Sequence, residues 1–187
     1  MFFGTRFYFK FLYFLTAMTP AYLLFSLQLY VKYGIGFIQI SGNKVPLMTF
    51  LILLGSIVLT WIIKKTLSIA VRREENQYLI NFGDVKIIQT NGDVVSFLLG
   101  VVVPAVIFIE NSLSICLLVF LGVQFVVFLL VTKSSTVFPN IMTILFNINI
   151  LILDNGLYLI SNVRIRENSE VLAVRVGDDS KLLNYVL

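Results

Sequence analysis

The sequence contains no histidine and a single cysteine, Cys116. Without an imidazole there is no His-based acid–base chemistry, no Ser-His or Cys-His dyad and no His-containing zinc site. A lone cysteine excludes an intrachain disulfide. Cys116 also lies in an apolar run, where a thiolate is disfavoured, so it is read as a small apolar filler. Charge is scarce as well: Asp, Glu, Lys and Arg make up 13% of the 187 residues, against about 25% in a soluble domain. The four long apolar runs hold none of it: Phe11–Val31, Val45–Ile63, Val94–Ile109 and Asn111–Thr132. Proton pumps and coupled transporters need an ionisable group at mid-membrane, and these runs supply none. No catalytic, cofactor-binding or metal-ligating set is left to name.

What is present is apolar surface. Apolar residues make up 58% of the chain, and the mean hydropathy is +0.94. A helix rises ~1.5 Å per residue and the hydrocarbon core is roughly 30 Å thick. Three of the runs are long enough to span. Val94–Ile109 is shorter and borrows polar ends at Gly92-Asp93 and Glu110. The expected fold is an α-helical membrane protein with four transmembrane helices and a small cytoplasmic β-rich C-terminal module. The division falls at 1–132 and 133–187, with the inner loop 64–93 cytoplasmic. Ser134–Leu153 is also uncharged and is a candidate fifth span. It carries Pro139, Asn140, Asn147 and Asn149, and it alternates at its end as Phe146, Ile148 and Ile150 around asparagines. That is strand period, so an inner segment is the preferred reading. Arg6 and Lys10 ahead of an apolar run imitate a signal peptide. The run is too long for that and lacks a clear small-x-small site, so a retained first helix is expected.

The cations set an orientation. With both termini inside, Arg6, Lys10, Lys64, Lys65, Arg72, Arg73, Lys86, Lys133, Arg164, Arg166, Arg175 and Lys181 are cytoplasmic, and only Lys32 and Lys44 lie outside. That twelve-to-two division satisfies the positive-inside rule. The net charge of +4 is therefore topological and does not mark a nucleic-acid surface.

Within the membrane part, the aromatic start (Phe2, Phe3, Phe7, Tyr8, Phe9, Phe11, Tyr13 and Phe14) reads as an interfacial anchor or a surface that senses lipid packing or an arriving partner. Pro20 and Pro104 are expected to kink their helices. Gly55, Gly100 and Gly122 permit close helix approach, and Gln124 is read as interhelical glue. The outer loop Tyr33–Val45 is too apolar for a free linker.

On the inner side, Lys64–Glu75 continues the second helix, and Arg72-Arg73 reads as a solvated face or a partner contact. Tyr78–Phe82 and Val85–Gln89 suggest a short hairpin, Asn91-Gly92 a turn, and Asp93 a helix cap. In the tail, Asp154-Asn155-Gly156 between Asn147–Leu153 and Leu157–Ser161 is a hairpin signal. Glu170–Val176 makes a third strand. Ser180–Leu187 closes as a turn of helix or a last strand. So few strands need support from the inner loop, another protomer or a partner. The apolar edge Leu157–Ile160 invites such pairing.

Pro139-Asn140-Ile141, the alternating Phe146–Leu153 run, Asp154-Asn155-Gly156, Leu157-Tyr158-Leu159-Ile160-Ser161 and Val163-Arg164-Ile165-Arg166 together resemble the tail of the KwaA family, the membrane subunit of the Kiwa anti-phage defence system. The resemblance implies a non-enzymatic sensor and scaffold in the bacterial inner membrane, without cofactors. It would detect phage attachment or membrane disturbance, contact membrane lipid and assemble with itself, expected as a tetramer. It would hold a cytoplasmic DNA-binding effector, KwaB, and make no direct nucleic-acid contact of its own. There are no family catalytic residues to carry over. By position, the partner-contact candidates are Arg72, Arg73, Tyr158, Arg164, Arg166 and Arg175. The alternative is a small oligomeric channel or pore-forming effector lined by Gln124, Ser114, Ser96 and Thr60. A third possibility is an accessory subunit of a transporter or secretion complex.

Overall fold

A computed structural model describes residues 7–40, 43–73, 77–82, 85–97, 112–133, 137–162, 165, 170–175 and 183–186. The chain begins with α1 (Phe7–Ala17) and α2 (Thr19–Tyr33), which meet at a 50° bend. Pro20, in the first turn of α2, has no N–H for the Thr16 carbonyl. The Thr19 hydroxyl, 2.8 Å from that carbonyl, takes its place. The Met18 N–H still donates to the Phe14 carbonyl at 2.9 Å, and the Tyr22 N–H to the Met18 carbonyl at 3.1 Å. The expected Pro20 kink is therefore a bend at which the carbonyl freed by proline is taken up by a neighbouring hydroxyl.

Beyond α2, the outer loop forms a hairpin of β1 (Ile38–Ile40) and β2 (Asn43–Val45). Then α3 (Leu47–Arg73) runs for 27 residues, about 40 Å at 1.5 Å per residue. That exceeds the hydrocarbon core, so its last turns project past it. After β3 (Gln77–Asn81), β4 (Ile87–Thr90) and the short α4 (Val94–Phe97) comes α5 (Leu113–Lys133). Among the described residues, two helices are long and apolar enough to cross a membrane, Leu47–Ile69 and Leu113–Lys133, and the bent α1–α2 pair makes a third if it counts as one span. The expected span Val94–Ile109 is described only as far as Phe97. Gly100 and Pro104 lie outside the described residues.

Residues 137–153 do not form a helical span. Asn140 caps a five-residue helix, α6 (Ile141–Leu145), which is followed by β5 (Asn149–Leu153). β6 (Tyr158–Ser161), β7 (Glu170–Arg175) and β8 (Leu183–Val186) complete a six-stranded sheet in the order β3-β7-β8-β6-β5-β4. Two of its strands, β3 and β4, come from the inner loop. The hairpin expected between Tyr78–Phe82 and Val85–Gln89 does not form. β3 pairs with β7 from Gln77↔Val174 to Asn81↔Glu170, while β4 pairs with β5. The two strands close opposite edges of the sheet.

That arrangement requires curvature. A flat sheet of six strands would hold its edges about 24 Å apart, at ~4.8 Å per strand. The chain from Asn81 to Ile87 reaches roughly 20 Å when fully extended. The alternation of side chains agrees with a curled sheet. Leu151, Leu153, Leu159, Ala173 and Ile80 gather on the inner side with Phe82. Ile150, Tyr158, Ile160 and Val174 turn outward onto the helices. The β5–β6 turn lies at Asp154-Asn155-Gly156, as expected. Its geometry is that of a longer loop, in which the Gly156 N–H donates to the Leu153 carbonyl at 3.0 Å and Asn155 Oδ1 accepts from the Leu157 N–H at 3.1 Å. Gly156 alone takes the left-handed conformation, at φ 78°.

Candidate functional site

The sheet is seated on the helices through one continuous apolar core. Phe9, Tyr13 and Phe14 of α1, Ile63, Leu67 and Val71 of α3, and Val131 of α5 pack with Val137, Phe138 and the outer face of the sheet. The projecting end of α3 is thus a strut covered on one side by strands.

A buried polar chain runs through this core where the bend of the first span meets the segment before α6. Asn140 is 1% exposed. Its Nδ2 donates to the Tyr13 carbonyl at 3.1 Å and to Thr16 Oγ1 at 2.8 Å. Its Oδ1 accepts from the Thr143 N–H at 3.2 Å, which caps α6. Every hydrogen-bonding group of the amide is engaged. Tyr13 Oη donates to the Phe138 carbonyl at 2.8 Å, and Thr143 Oγ1 donates to the Asn140 carbonyl at 2.9 Å. One turn further along, the Thr19 hydroxyl lies 2.8 Å from Ser56 Oγ on α3 as well as from the Thr16 carbonyl. A hydroxyl has one proton to give, so that proton is divided between two acceptors on two helices.

The other end of the bundle is apolar and aromatic. Phe25 and Phe120 stack with centroids 3.9 Å apart and planes 3° from parallel. Cys116 is buried beside them. Back at the sheet end, Phe128 receives Phe14 edge-on at 5.1 Å.

The residues singled out from the sequence fall in several places. Arg72 is exposed on the last turn of α3, and Arg73 ends that helix with its side chain outside the described residues. Tyr158 lies on the outer face of β6 against the helices and is 7% exposed, so it is core and not outer surface. Burial raises its phenol above the ordinary value and keeps it neutral. Arg175 ends β7, its side chain outside the described residues, and Arg164 and Arg166 lie outside them altogether. Gly55 and Gly122 face open space: a Cβ on either would meet nothing within 4 Å. Gln124 is buried at 6% exposure, and among the described residues neither atom of its amide has a hydrogen-bond partner. The structure thus brings together Tyr13, Thr16, Asn140 and Thr143, which sequence reasoning did not single out as a site. The available signal was Asn140 standing directly before Ile141-Met142-Thr143, an N-cap pattern.

The arrangement binds and positions. Among the described residues there is no group of three or more His, Cys, Asp or Glu that would hold a metal ion. No curated protein and no solved structure matches the chain. The model of the anti-phage protein KwaA matches residues 9–182, nearly the whole length, and the chain belongs to the KwaA family of anti-phage proteins.

Proposed function

We propose that this protein is a non-enzymatic sensor and scaffold in the bacterial inner membrane that registers phage attachment or membrane disturbance and holds a cytoplasmic DNA-binding effector, KwaB. The carrying observation is the buried junction. Asn140 ties the bend of the first span to the start of the tail, and a polar chain in low dielectric tolerates few intermediate arrangements. A change of tilt or packing in α1 and α2 is thereby passed to the sheet instead of being absorbed at its boundary.

The placement of charge supports a cytoplasmic sheet. Lys10, Lys64, Lys65, Arg72, Lys86 and Lys133 belong to the sheet end of the bundle, and Lys32 and Lys44 to the hairpin end. Chain connectivity supports four spans. β4 and β5 are neighbours in one sheet, yet between them α5 starts at the hairpin end, where Leu113 packs near Phe25 and Leu29. The four-span reading adds the apolar run Val94–Ile109, expected from the sequence, to the bent first span, α3 and α5. The open faces at Gly55 and Gly122, with Gln124 between helices, are the proposed packing surfaces of a homo-oligomer, a tetramer in this reading. Effector contact is assigned to Arg72, Arg73, Arg164, Arg166 and Arg175.

The test is co-purification of the effector with the detergent-solubilised membrane protein. Wild-type protein is expected to retain it. Arg164→Glu with Arg166→Glu is expected to insert normally and lose most of the bound effector. Full retention by that double variant removes the tail from the interface.

A further inference from the structure

A groove of about 440 Å³ opens on the flank of α3 just past its apolar stretch. Lys64, Lys65 and Arg72 line it with Ser68, and Asn162, at the end of β6, contributes from the sheet side. No acidic side chain lines it among the described residues. Its floor toward the membrane is Trp61, which is 55% exposed and has Lys65 Nζ 5.1 Å from its ring centroid.

The groove continues an apolar stripe. Leu54, Val58 and Trp61 follow one another at helical spacing, and all three are exposed. Lys65 stands next on the same face. Counted from Leu47, about 20 residues at 1.5 Å each cross the ~30 Å hydrocarbon core and end near Leu67. Lys64 and Lys65 stand within a turn of that boundary and reach the phosphates by snorkelling, and Arg72 lies about 7 Å past it, in the ~5–8 Å headgroup layer. Side chains on a helix lean toward its N-terminus, which turns Arg72 back toward the membrane.

We propose that this groove binds the headgroup of an anionic phospholipid, with Lys64, Lys65 and Arg72 around the phosphate and the acyl chains along Leu54, Val58 and Trp61. The chemistry recognised is a phosphodiester with a net negative charge. The apolar stripe selects a lipid over a free phosphate, which would need only the cations. The inference rests on α3 crossing the membrane; it shares Arg72 with the proposed effector contact but not Lys64 or Lys65, and lipid retention is read with no effector present. With walls from both α3 and the sheet, the headgroup bridges the strut and the strands it carries.

Native mass spectrometry of the full chain in detergent micelles, titrated with phosphatidylglycerol, tests this. Phosphatidylglycerol is expected to be retained and to raise the melting midpoint, while phosphatidylcholine and millimolar inorganic phosphate do neither. Each cation near an anionic lipid surface is worth roughly fivefold in affinity. Lys64→Gln with Lys65→Gln and Arg72→Gln is therefore expected to weaken retention about 100-fold. Should that triple variant fold poorly, Arg72→Gln alone, at an exposed position, is expected to show the fivefold step. Lys32→Gln, at the other end of the bundle, is expected to change nothing. Equal retention of phosphatidylcholine, equal protection by inorganic phosphate, or unchanged phosphatidylglycerol binding in the variants would each overturn the proposal. Loss of effector with lipid binding intact would reassign the groove to a protein interface.

Discussion

At the scale of single residues, two buried amides in the same bundle stand in opposite circumstances. Asn140 has all its groups satisfied; its removal takes the cap from the Thr143 N–H and a donor from the Tyr13 carbonyl and Thr16 Oγ1, which keep the 3.0 Å bond between them. Asn140→Ala is expected to cost about 2–3 kcal/mol, combining a lost N-cap with lost buried hydrogen bonds. Tyr13→Phe deletes the bond to the Phe138 carbonyl and the hydroxyl's hydrogen bond with the Thr143 side chain, and is expected to cost about 1–2 kcal/mol. Thermal unfolding in detergent reads both. A tyrosine variant less stable than the asparagine variant would contradict the central place given to Asn140. Gln124 is the reverse case, because its buried amide has no partner among the described residues. Gln124→Leu keeps the volume and removes the desolvated dipole, so a melting midpoint equal to or above wild type is expected. A clear loss of stability would show that the amide is bonded in the assembled protein, as interhelical glue requires.

At the scale of elements, the turn after β4 shows how tightly the sheet is fitted to the segment that follows α5. Gly92 has φ 82°, and a Cβ there would lie 2.5 Å from the Val137 carbonyl oxygen and 2.9 Å from Pro139 Cγ. Backbone and a proline ring give little room. Gly92→Ala is expected to cost about 3 kcal/mol, from left-handed strain plus the clash. Gly156 has a similar φ of 78° with nothing within 4 Å, so Gly156→Ala should cost only about 1 kcal/mol. Equal losses for the two, measured side by side, would show that strain alone matters and that the close approach does not. Sequence pattern made β5, the Asp154-Asn155-Gly156 turn, β6 and β7 legible, because alternation and turn chemistry are local. It misjudged β3 and β4. Their own alternation was correct, but the choice between each other and distant partners depends on long-range register, which no short window contains. The junction was hidden for a related reason. In sequence Asn140 is a polar residue in an uncharged run, and its partners, Tyr13 and Thr16, are more than 120 residues away.

At the scale of the whole molecule, the decisive relation is that one helix separates the two ends. The β1–β2 hairpin precedes α3 and the six-stranded sheet begins just after it. Whatever the total number of crossings, Gln39 and Lys86 are joined through α3 alone and must lie on opposite sides if α3 spans. The cations at the sheet end then decide which side is which. Both positions are exposed, while the native Cys116 is buried and contributes little background to thiol labelling. Gln39→Cys is expected to react with a membrane-impermeant maleimide in intact spheroplasts, and Lys86→Cys only after lysis. The inverse pattern would put the sheet outside and remove any docking of a cytoplasmic effector, while leaving the buried junction as described. Labelling of both positions in intact cells would mean that α3 does not cross at all. Its 27 apolar-rich residues, with Phe50, Leu51, Leu54 and Trp61 exposed along it, would then have to be covered by protein instead of lipid.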